Sequence, residues 1–400
     1  MKNNPSENDR SIWWLVVALG TTMIVSWGQL FYSMAVLWPQ VAADLDFSRT
    51  TIFTVISLTL LINGLASPAA GRAIDLYSGR VMMSVGSLVA ALAFLILWQA
   101  NSLWMYVLGW LIGGVAMSLT MYDPAFATLS QHAGTSYRRT MTAVTLFGGL
   151  ASTVFWPLTA WIQTAAGWRG VFLSFVLMQL LICLPLHYLL IPRRKQVAGH
   201  SDQSPSKVVP AASREQARTY YWLVAAFSLH AYVMSVVAVH LLSLLQARGL
   251  SLSEAVSVGM IIGPMQVAGR VVDIVFADRL TPKLVGVGAL ATITFGMLLL
   301  VAPQLELWMA FLVAALWGSG NGLITIAKGV SVAQVFGRKD YGAWMGRMAR
   351  WTFCMHALAP GSFALLLSIG LNYDRAGWMF AGIVGSALVC FWIAMSSVPD

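Results

Sequence analysis

The sequence is dominated by long apolar stretches that are separated by short polar segments. Twelve such stretches are each about 20 residues long, the length that a helix needs to cross the roughly 30 Å hydrocarbon core of a bilayer. A backbone inside lipid must satisfy its own hydrogen bonds, so these stretches predict membrane-spanning helices. The predicted spans are residues 12–38, 50–70, 81–100, 103–129, 140–164, 170–191, 220–245, 254–277, 284–301, 305–332, 343–369 and 376–395.

The amino-acid composition agrees with a chain whose main solvent is lipid. Of the 400 residues, 58% are hydrophobic and only 10% are charged, whereas soluble domains carry about 25% charged residues. These values exclude a disordered chain, a coiled coil and a disulfide-rich scaffold. Cys183, Cys354 and Cys390 are scattered through apolar runs, so neither a disulfide framework nor a metal site is predicted. No cofactor is predicted.

Positive charges are distributed unevenly around the predicted spans. The net charge is +9, and sixteen of the 24 Lys and Arg residues lie in or beside segments on the side of the amino terminus. An excess of Lys and Arg is typical of cytoplasmic loops, so both termini are predicted to be cytoplasmic. Because topology accounts for the basic charge, no nucleic-acid partner is predicted. The opposite side receives Arg49, Arg169, Arg248 and Arg375.

One long polar segment, residues 192–219, divides the chain into two halves of six spans each. It is rich in Ser, Pro, Lys and Arg, a composition typical of a flexible linker. We therefore predict an amino-terminal six-helix bundle over residues 1–191, a cytoplasmic linker over residues 192–219 and a carboxy-terminal six-helix bundle over residues 220–400.

The two halves also repeat each other. In the fourth span Asp123 follows Gly113 by ten residues, and in the tenth span Lys328 follows Gly318 by ten residues. Repetition of this kind is typical of transporters that are built from two related bundles.

The segment between the second and third spans combines glycine, acid and arginine in a fixed order. It contains Gly71, Arg72, Asp75, Gly79 and Arg80, and it resembles the loop signature of the major facilitator superfamily. The resemblance implies an all-α membrane protein with twelve transmembrane helices in two pseudo-symmetric six-helix bundles. It also implies alternating access, in which the bundles open a central site to each side of the membrane in turn. The glycines would permit a tight turn between two helices, and Asp75 would cap or charge-pair with a neighbouring helix end.

Three shorter segments resemble bacterial branches of this family. Residues 47–72 are similar to bacterial relatives of monocarboxylate transporters, and residues 122–129 and 263–266 resemble a branch that includes metalloid-efflux proteins. These resemblances imply a bacterial-type inner (plasma) membrane. We expect the protein to function as a monomer.

Charged residues lie inside the predicted spans, where charge is unfavourable and commonly functional. Asp123 and Lys328 occupy matching places in the two halves and are predicted to form a gating or coupling pair; a purely structural ion pair is the alternative. Arg270 resembles a substrate-linked arginine of monocarboxylate transporters, although Gln266 stands where that pattern has an acid. The alternative is that Arg270 pairs with Asp273, three residues later, or with carbonyl groups at a helix carboxy terminus.

Polar and aromatic side chains in the spans complete the candidate set. His230, His240 and His356 have the chemistry to relay protons, and hydrogen-bonded packing is the alternative for each. Five further residues are predicted to line a substrate cavity: Gln29, Tyr32, Tyr232, Gln266 and Asn321.

The sequence indicates transport rather than catalysis. It contains no phosphate-binding glycine loop, no paired metal-binding histidines on one helix and no nucleophile elbow. We therefore predict a secondary active transporter, with a membrane enzyme and a transporter-derived sensor as the competing classes. An excess of cations in the second-half spans favours a small organic anion such as a carboxylate, and a proton is a candidate coupling ion. The alternative is efflux of drug-like compounds or metalloids by a proton-coupled exporter.

Overall fold

A computed structural model describes residues 5–192, 213–276 and 279–398 of the chain. In these residues the fold is all-α, with no strand, as predicted. Most of the linker predicted over residues 192–219 lies outside the described residues. Fourteen α-helices are described: α1 Pro5–Trp27, α2 Met34–Leu45, α3 Arg49–Tyr77, α4 Gly79–Trp98, α5 Leu103–Thr120, α6 Tyr122–His132, α7 Tyr137–Gly149, α8 Ala151–Met178, α9 Arg214–Ala247, α10 Leu252–Phe276, α11 Pro282–Leu299, α12 Leu307–Phe336, α13 Tyr341–Ser368 and α14 Tyr373–Ser396.

Eleven helical segments in the described part of the chain are long and apolar enough to cross a membrane. The difference from twelve predicted spans arises in the longest segment, Tyr137–Leu190, which contains both the fifth and the sixth span. Gly167 interrupts it with a φ of 67°, a conformation that glycine adopts without steric cost. Among the described residues, each of the twelve predicted stretches therefore coincides largely with helical structure.

Several spans are interrupted rather than straight. The first span passes from α1 through a π-helical segment, Gly28–Tyr32, into α2. The fourth span breaks at Met121, where φ is −88° and ψ is −161°, and α6 then starts at Tyr122. Pro124 lies in the first turn of α6, where the backbone N–H that proline lacks would have no helical partner. The break leaves Asp123 beside a helix amino terminus within a membrane span.

Polar side chains cap the amino termini of α3 and α10 by accepting hydrogen bonds from backbone N–H groups. The Ser48 hydroxyl accepts from the backbone N–H of Thr51 at 3.0 Å and caps α3. At the matching place in the second half, Glu254 accepts from the backbone N–H of Ser251 at 2.8 Å, and the Ser251 hydroxyl accepts from the backbone N–H of Glu254 at 3.3 Å. This reciprocal capping satisfies two amides at the start of α10.

The chain divides into two compact units. Unit 1 comprises Met1–Pro210 together with Gly337–Arg350, and unit 2 comprises Ala211–Phe336 together with Trp351–Asp400. The first turns of α13 therefore belong to unit 1, and the rest of the same helix belongs to unit 2.

Unit 1 packs α4 against α5 and α8, and α1 against α7. Its core is aromatic: Phe94, Trp110 and Phe172 are fully buried, and the rings of Phe94 and Phe172 stack with centroids 6.1 Å apart. Between membrane helices such packing stabilises through van der Waals contact, because lipid tails are as apolar as the side chains.

Unit 2 is organised around α12, which packs on α10 and α11. Small residues bring α10 and α12 into backbone contact. A side chain added at Gly322 would overlap the carbonyl oxygen of Gln266, and one added at Gly269 would lie 2.5 Å from that of Ser319. Close approach of this kind is common where membrane helices pack through glycine. It positions the backbone of Gln266 directly beside Gly322 and the adjacent Asn321.

Candidate functional site

Asp75, near the end of α3, binds the start of α13 within unit 1. The Asp75 carboxylate is buried and accepts from the backbone N–H groups of Gly342 at 3.0 Å and Ala343 at 2.7 Å. These amides belong to the first turn of a helix, where N–H groups lack helical partners and the helix dipole is positive. Asp75 therefore caps α13 from another helix with two charge-assisted hydrogen bonds.

Three glycines make this contact possible. A side chain added at Gly71 would overlap the carbonyl oxygen of Gly342, and one added at Gly342 would overlap that of Gly71. One turn further along α13, a side chain at Gly346 would overlap the carbonyl oxygen of Ser67. The backbones of α3 and α13 are therefore in contact. A larger residue at any of these glycines would separate the two helices and move the amides of α13 away from the Asp75 carboxylate.

The turn between α3 and α4 differs from the expected glycine turn. The positive φ, 91°, falls on Ser78, whereas Gly71 and Gly79 are absent from the residues with positive φ. Gly79 instead allows close packing, because an added side chain would overlap the Thr128 hydroxyl. The glycines of this loop therefore act through close approach rather than through backbone freedom.

Gln131, which the sequence did not single out, bridges the same turn. Its Nε2 donates to the carbonyl oxygen of Ile74 at 3.0 Å, and its Oε1 accepts from the backbone N–H of Gly79 at 3.4 Å. The arginines of the loop lie outside this network: the Arg80 guanidinium is 4.5 Å from the ring centroid of Tyr188, and Arg72 is exposed.

Asp123 lies in the same unit, on the first turn of α6. It is partly buried and close enough to Tyr137 and Tyr341 to interact with them electrostatically. The rings of Tyr137 and Tyr341 meet edge to face with centroids 5.9 Å apart. Asp123 and Asp75 thus both lie near the start of α13. Lys328, the predicted partner of Asp123, is on α12 in unit 2.

A pair of buried amides joins two helices of unit 1. Gln29 lies in the π-helical segment Gly28–Tyr32, and Gln179 starts a second π-helical segment, Gln179–Cys183. Gln179 Nε2 donates to Gln29 Oε1 at 2.8 Å, and neither side chain is exposed. Gln29, which was predicted to line a cavity, is thus held inside unit 1.

Tyr32 lies at the end of the first of these π-helical segments and contacts Trp156. The Trp156 indole donates to the carbonyl oxygen of Tyr32 at 3.2 Å, and the two rings are perpendicular with centroids 6.0 Å apart. Trp156 is exposed and Tyr32 partly so, so this aromatic pair lies closer to the surface of unit 1 than the amide pair.

Unit 2 contains a second group of interacting polar side chains, which we call the histidine cluster: His230, Asn321, Ser235, His356 and Lys328. His230 Nε2 lies 3.0 Å from Asn321 Oδ1, and His356 Nδ1 lies 2.8 Å from Ser235 Oγ. His356 also interacts electrostatically with His230 and Lys328. The cluster joins residues of α9, α12 and α13.

Three further candidates of unit 2 are Tyr232 on α9 and Arg270 and Asp273 on α10. Tyr232, one turn before Ser235, has its hydroxyl 3.1 Å from that of Ser362. On α10, Arg270 and Asp273 are both buried, with 4% and 0% of their surface exposed. Burying a charged side chain is unfavourable unless its charge is compensated. Both charges on this turn of α10 therefore require compensation.

The family model of the Major Facilitator Superfamily matches residues 18–360. The chain belongs to this superfamily. The chain is therefore an integral membrane transporter and not an enzyme, and as a superfamily member it moves a small-molecule substrate by secondary transport. No curated protein sequence matches it significantly.

Solved transporters of the superfamily share the fold. The chain is similar to the human organic anion transporter MFSD10 (TETRAN), with 13% identity, a TM-score of 0.73 and coverage of 98% of this chain and 100% of that one. It is also similar to the proton:xylose symporter XylE, with 12% identity, a TM-score of 0.80 and coverage of 98% of this chain and 97% of that one. A third similar structure is FucP in the outward conformation, with 13% identity, a TM-score of 0.75 and coverage of 96% of this chain and 99% of that one. At these identities the likeness concerns the fold alone.

Proposed function

We propose that this superfamily member carries a small organic anion such as a carboxylate. The observation that carries the proposal is Arg270, a buried guanidinium on a membrane-spanning helix. A guanidinium presents a planar fork of donors that matches a carboxylate. Lys328 adds a second cation in the same unit.

Similarity to solved structures does not choose between substrates. The neighbours include a transporter described for organic anions and another described for xylose. The proposal therefore depends on the charges of unit 2 and on the similarity of residues 47–72 to bacterial relatives of monocarboxylate transporters.

The direct test is uptake into proteoliposomes with a panel of labelled solutes. The panel contains lactate, pyruvate, succinate and benzoate as carboxylates, xylose as a neutral solute, a lipophilic dye cation and arsenite. We expect saturable uptake of at least one carboxylate and none of xylose. Saturable transport of the dye or of arsenite, without carboxylate transport, would instead support the exporter alternative.

We further propose that the protein resides in a bacterial-type inner membrane with both termini cytoplasmic, as the positive charges indicate. A variant without native cysteines would carry one probe, Gln203→Cys in the linker or Ala247→Cys at the exposed end of α9. In intact cells a membrane-impermeant maleimide is expected to label Ala247→Cys and to leave Gln203→Cys unmodified. Labelling of Gln203→Cys without cell lysis would contradict this topology.

Asp123 and Lys328 are proposed to act as a gating pair. Removing one partner of a partly buried ion pair leaves an uncompensated charge and costs more than removing both. Asp123→Asn and Lys328→Gln are therefore each expected to reduce carboxylate uptake, and the double exchange Asp123→Lys with Lys328→Asp is expected to restore part of it. Strictly additive effects in the double-mutant cycle would show that the two residues act independently.

A further inference from the structure

We propose that Arg347 and Arg350, on the lipid-facing side of α13, bind the phosphate of an anionic phospholipid. The proposal goes beyond the proposed function, because it concerns the membrane around the protein and holds for any solute. It adds a binding site, the class of its ligand and two residues that have no part in the proposed transport site.

One side of α13 is exposed and mainly apolar. Trp351, Leu358 and Leu365 are 48%, 56% and 62% exposed. They follow each other at intervals of seven residues, which is close to two helical turns, so they share one side of the helix. Large apolar side chains that are exposed on a membrane-spanning helix contact lipid. This side of α13 therefore faces the bilayer.

The two arginines lie on the same side, nearer to the start of the helix. Arg347 precedes Trp351 by four residues, and Arg350 follows Arg347 by three. Residues three and four apart are neighbours on a helix surface. Arg350 is exposed and Arg347 is partly exposed. The two guanidinium groups can therefore reach one anion from the lipid side.

Arg350 lies deeper in the membrane than the headgroups. The 28 residues of α13 give a length of about 42 Å, which matches the roughly 40–45 Å thickness of a bilayer with its headgroups. Arg350 is nine residues after Tyr341, or about 14 Å along the axis, and this places its Cα inside the hydrocarbon. Side chains of a helix point toward its amino terminus, so the guanidinium extends back toward the headgroups.

Among the described residues, no acidic side chain pairs with either arginine. The Arg347 guanidinium lies 5.2 Å from the ring centroid of Trp344, a contact that attracts a cation without cancelling its charge. Charge at this depth is unfavourable unless an anion accompanies it. The lipid phosphate is the anion that the bilayer itself supplies, and a guanidinium binds phosphate through two parallel hydrogen bonds.

The bound lipid contacts the same turns of α13 that Asp75 caps. Gly342 and Gly346 hold these turns against α3, and the arginines follow within two turns on the lipid side. The headgroup therefore supports the start of α13 from outside the protein. Under the proposed topology this end of α13 lies in the cytoplasmic leaflet, where anionic lipids attract basic side chains.

The test measures binding of phosphatidylglycerol relative to phosphatidylcholine by native mass spectrometry of the detergent-solubilised protein. The double variant Arg347→Gln with Arg350→Gln is expected to lose the wild-type preference for phosphatidylglycerol by about tenfold or more, because two charged contacts are removed. The matched control is Arg279→Gln with Lys283→Gln, which removes the same charge beside the start of α11 and should keep the preference. An equal loss in the control would indicate attraction by net charge alone and would overturn the site.

Thermal unfolding in nanodiscs separates lipid binding from a role inside the protein. In phosphatidylcholine the double variant is expected to unfold at the wild-type temperature or above it, because two uncompensated charges are gone. In nanodiscs that contain phosphatidylglycerol the wild type is expected to be the more stable of the two. Lower stability of the variant in both lipids would overturn the proposal. If the double variant does not assemble, Arg350→Gln alone is measured, and an unchanged lipid preference would overturn the role of Arg350.

Soluble anions distinguish a lipid from other ligands of the same charge. Inorganic phosphate, lactate and benzoate are added to the wild type in phosphatidylcholine nanodiscs and are expected to leave its unfolding temperature independent of Arg347 and Arg350. Stabilisation by any of them that the double variant loses would show that the arginines meet water or the solute, and would overturn the lipid site. Absence of carboxylate transport would contradict the proposed function and leave the lipid site intact.

Discussion

Replacing Asp75 by Asn is expected to weaken the contact between α3 and the first turn of α13 by about 2–4 kcal/mol. The carboxylate accepts from two backbone amides with its two oxygens. Asparagine offers one oxygen, directs an NH₂ group at the second amide and removes the negative charge from the helix amino terminus. Because α13 continues from unit 1 into unit 2, we also expect solute uptake to fall by about tenfold or more.

Hydrogen exchange measured by mass spectrometry checks the structural half of this prediction. Peptides that cover Tyr341–Arg350 should exchange faster in Asp75→Asn, and those from the core of α4 should not change. Arg72→Gln is the matched control, since Arg72 lies on the same helix but is exposed. Unchanged exchange at the start of α13 would show that the two hydrogen bonds contribute little there.

The second large effect is expected at Arg270. If its guanidinium binds the anionic group of the solute, Arg270→Lys should lose most of the carboxylate uptake, because a compact ammonium cannot form the bidentate fork. Arg279→Lys, an exposed substitution beyond the end of α10, is the control. Full uptake by Arg270→Leu would contradict substrate binding.

A structural pairing of Arg270 with Asp273 makes a different prediction. In that case Asp273→Asn should reduce uptake and thermal stability as much as Arg270→Leu does, since either change leaves a buried charge uncompensated, at a cost of about 3–5 kcal/mol. Substrate binding by Arg270 instead predicts a raised KM for Arg270→Lys with a nearly unchanged unfolding temperature.

The number of spans was predictable from the sequence because each apolar stretch is long enough to cross the membrane by itself. The interruptions within the spans were harder to predict from the sequence. Glycine and proline are recognisable helix breakers. Gly167 lies between the fifth and sixth spans, and Pro124 lies just after the break in the fourth span. The π-helical segments Gly28–Tyr32 and Gln179–Cys183 carry no comparable signal, and the hydrogen bond that joins them links Gln29 to Gln179, 150 residues later.

The candidate site could be predicted from the sequence only in part, because some of its contacts join residues that are far apart in the chain. The loop residues Gly71, Asp75 and Gly79 stand together in the sequence and resemble a known pattern. The partner of Asp75, Gly342, is 267 residues away, and no local pattern identifies it. Gln131 and Ser235 are ordinary polar residues whose roles appear only once the helices are assembled.

The π-helical segment Gly28–Tyr32 also affects how the two halves are aligned. A π-helical turn accommodates one more residue than an α-helical turn, and each residue of an α-helix advances about 100° around its axis. The corresponding helix of the second half, α9, runs uninterrupted from Arg214 to Ala247. If the two helices are equivalent, as the sequence repeat predicts, we expect the equivalence to shift by one position after Gly28. A gap-free alignment of the halves would then compare the side chains of α2 with residues about 100° away around α9.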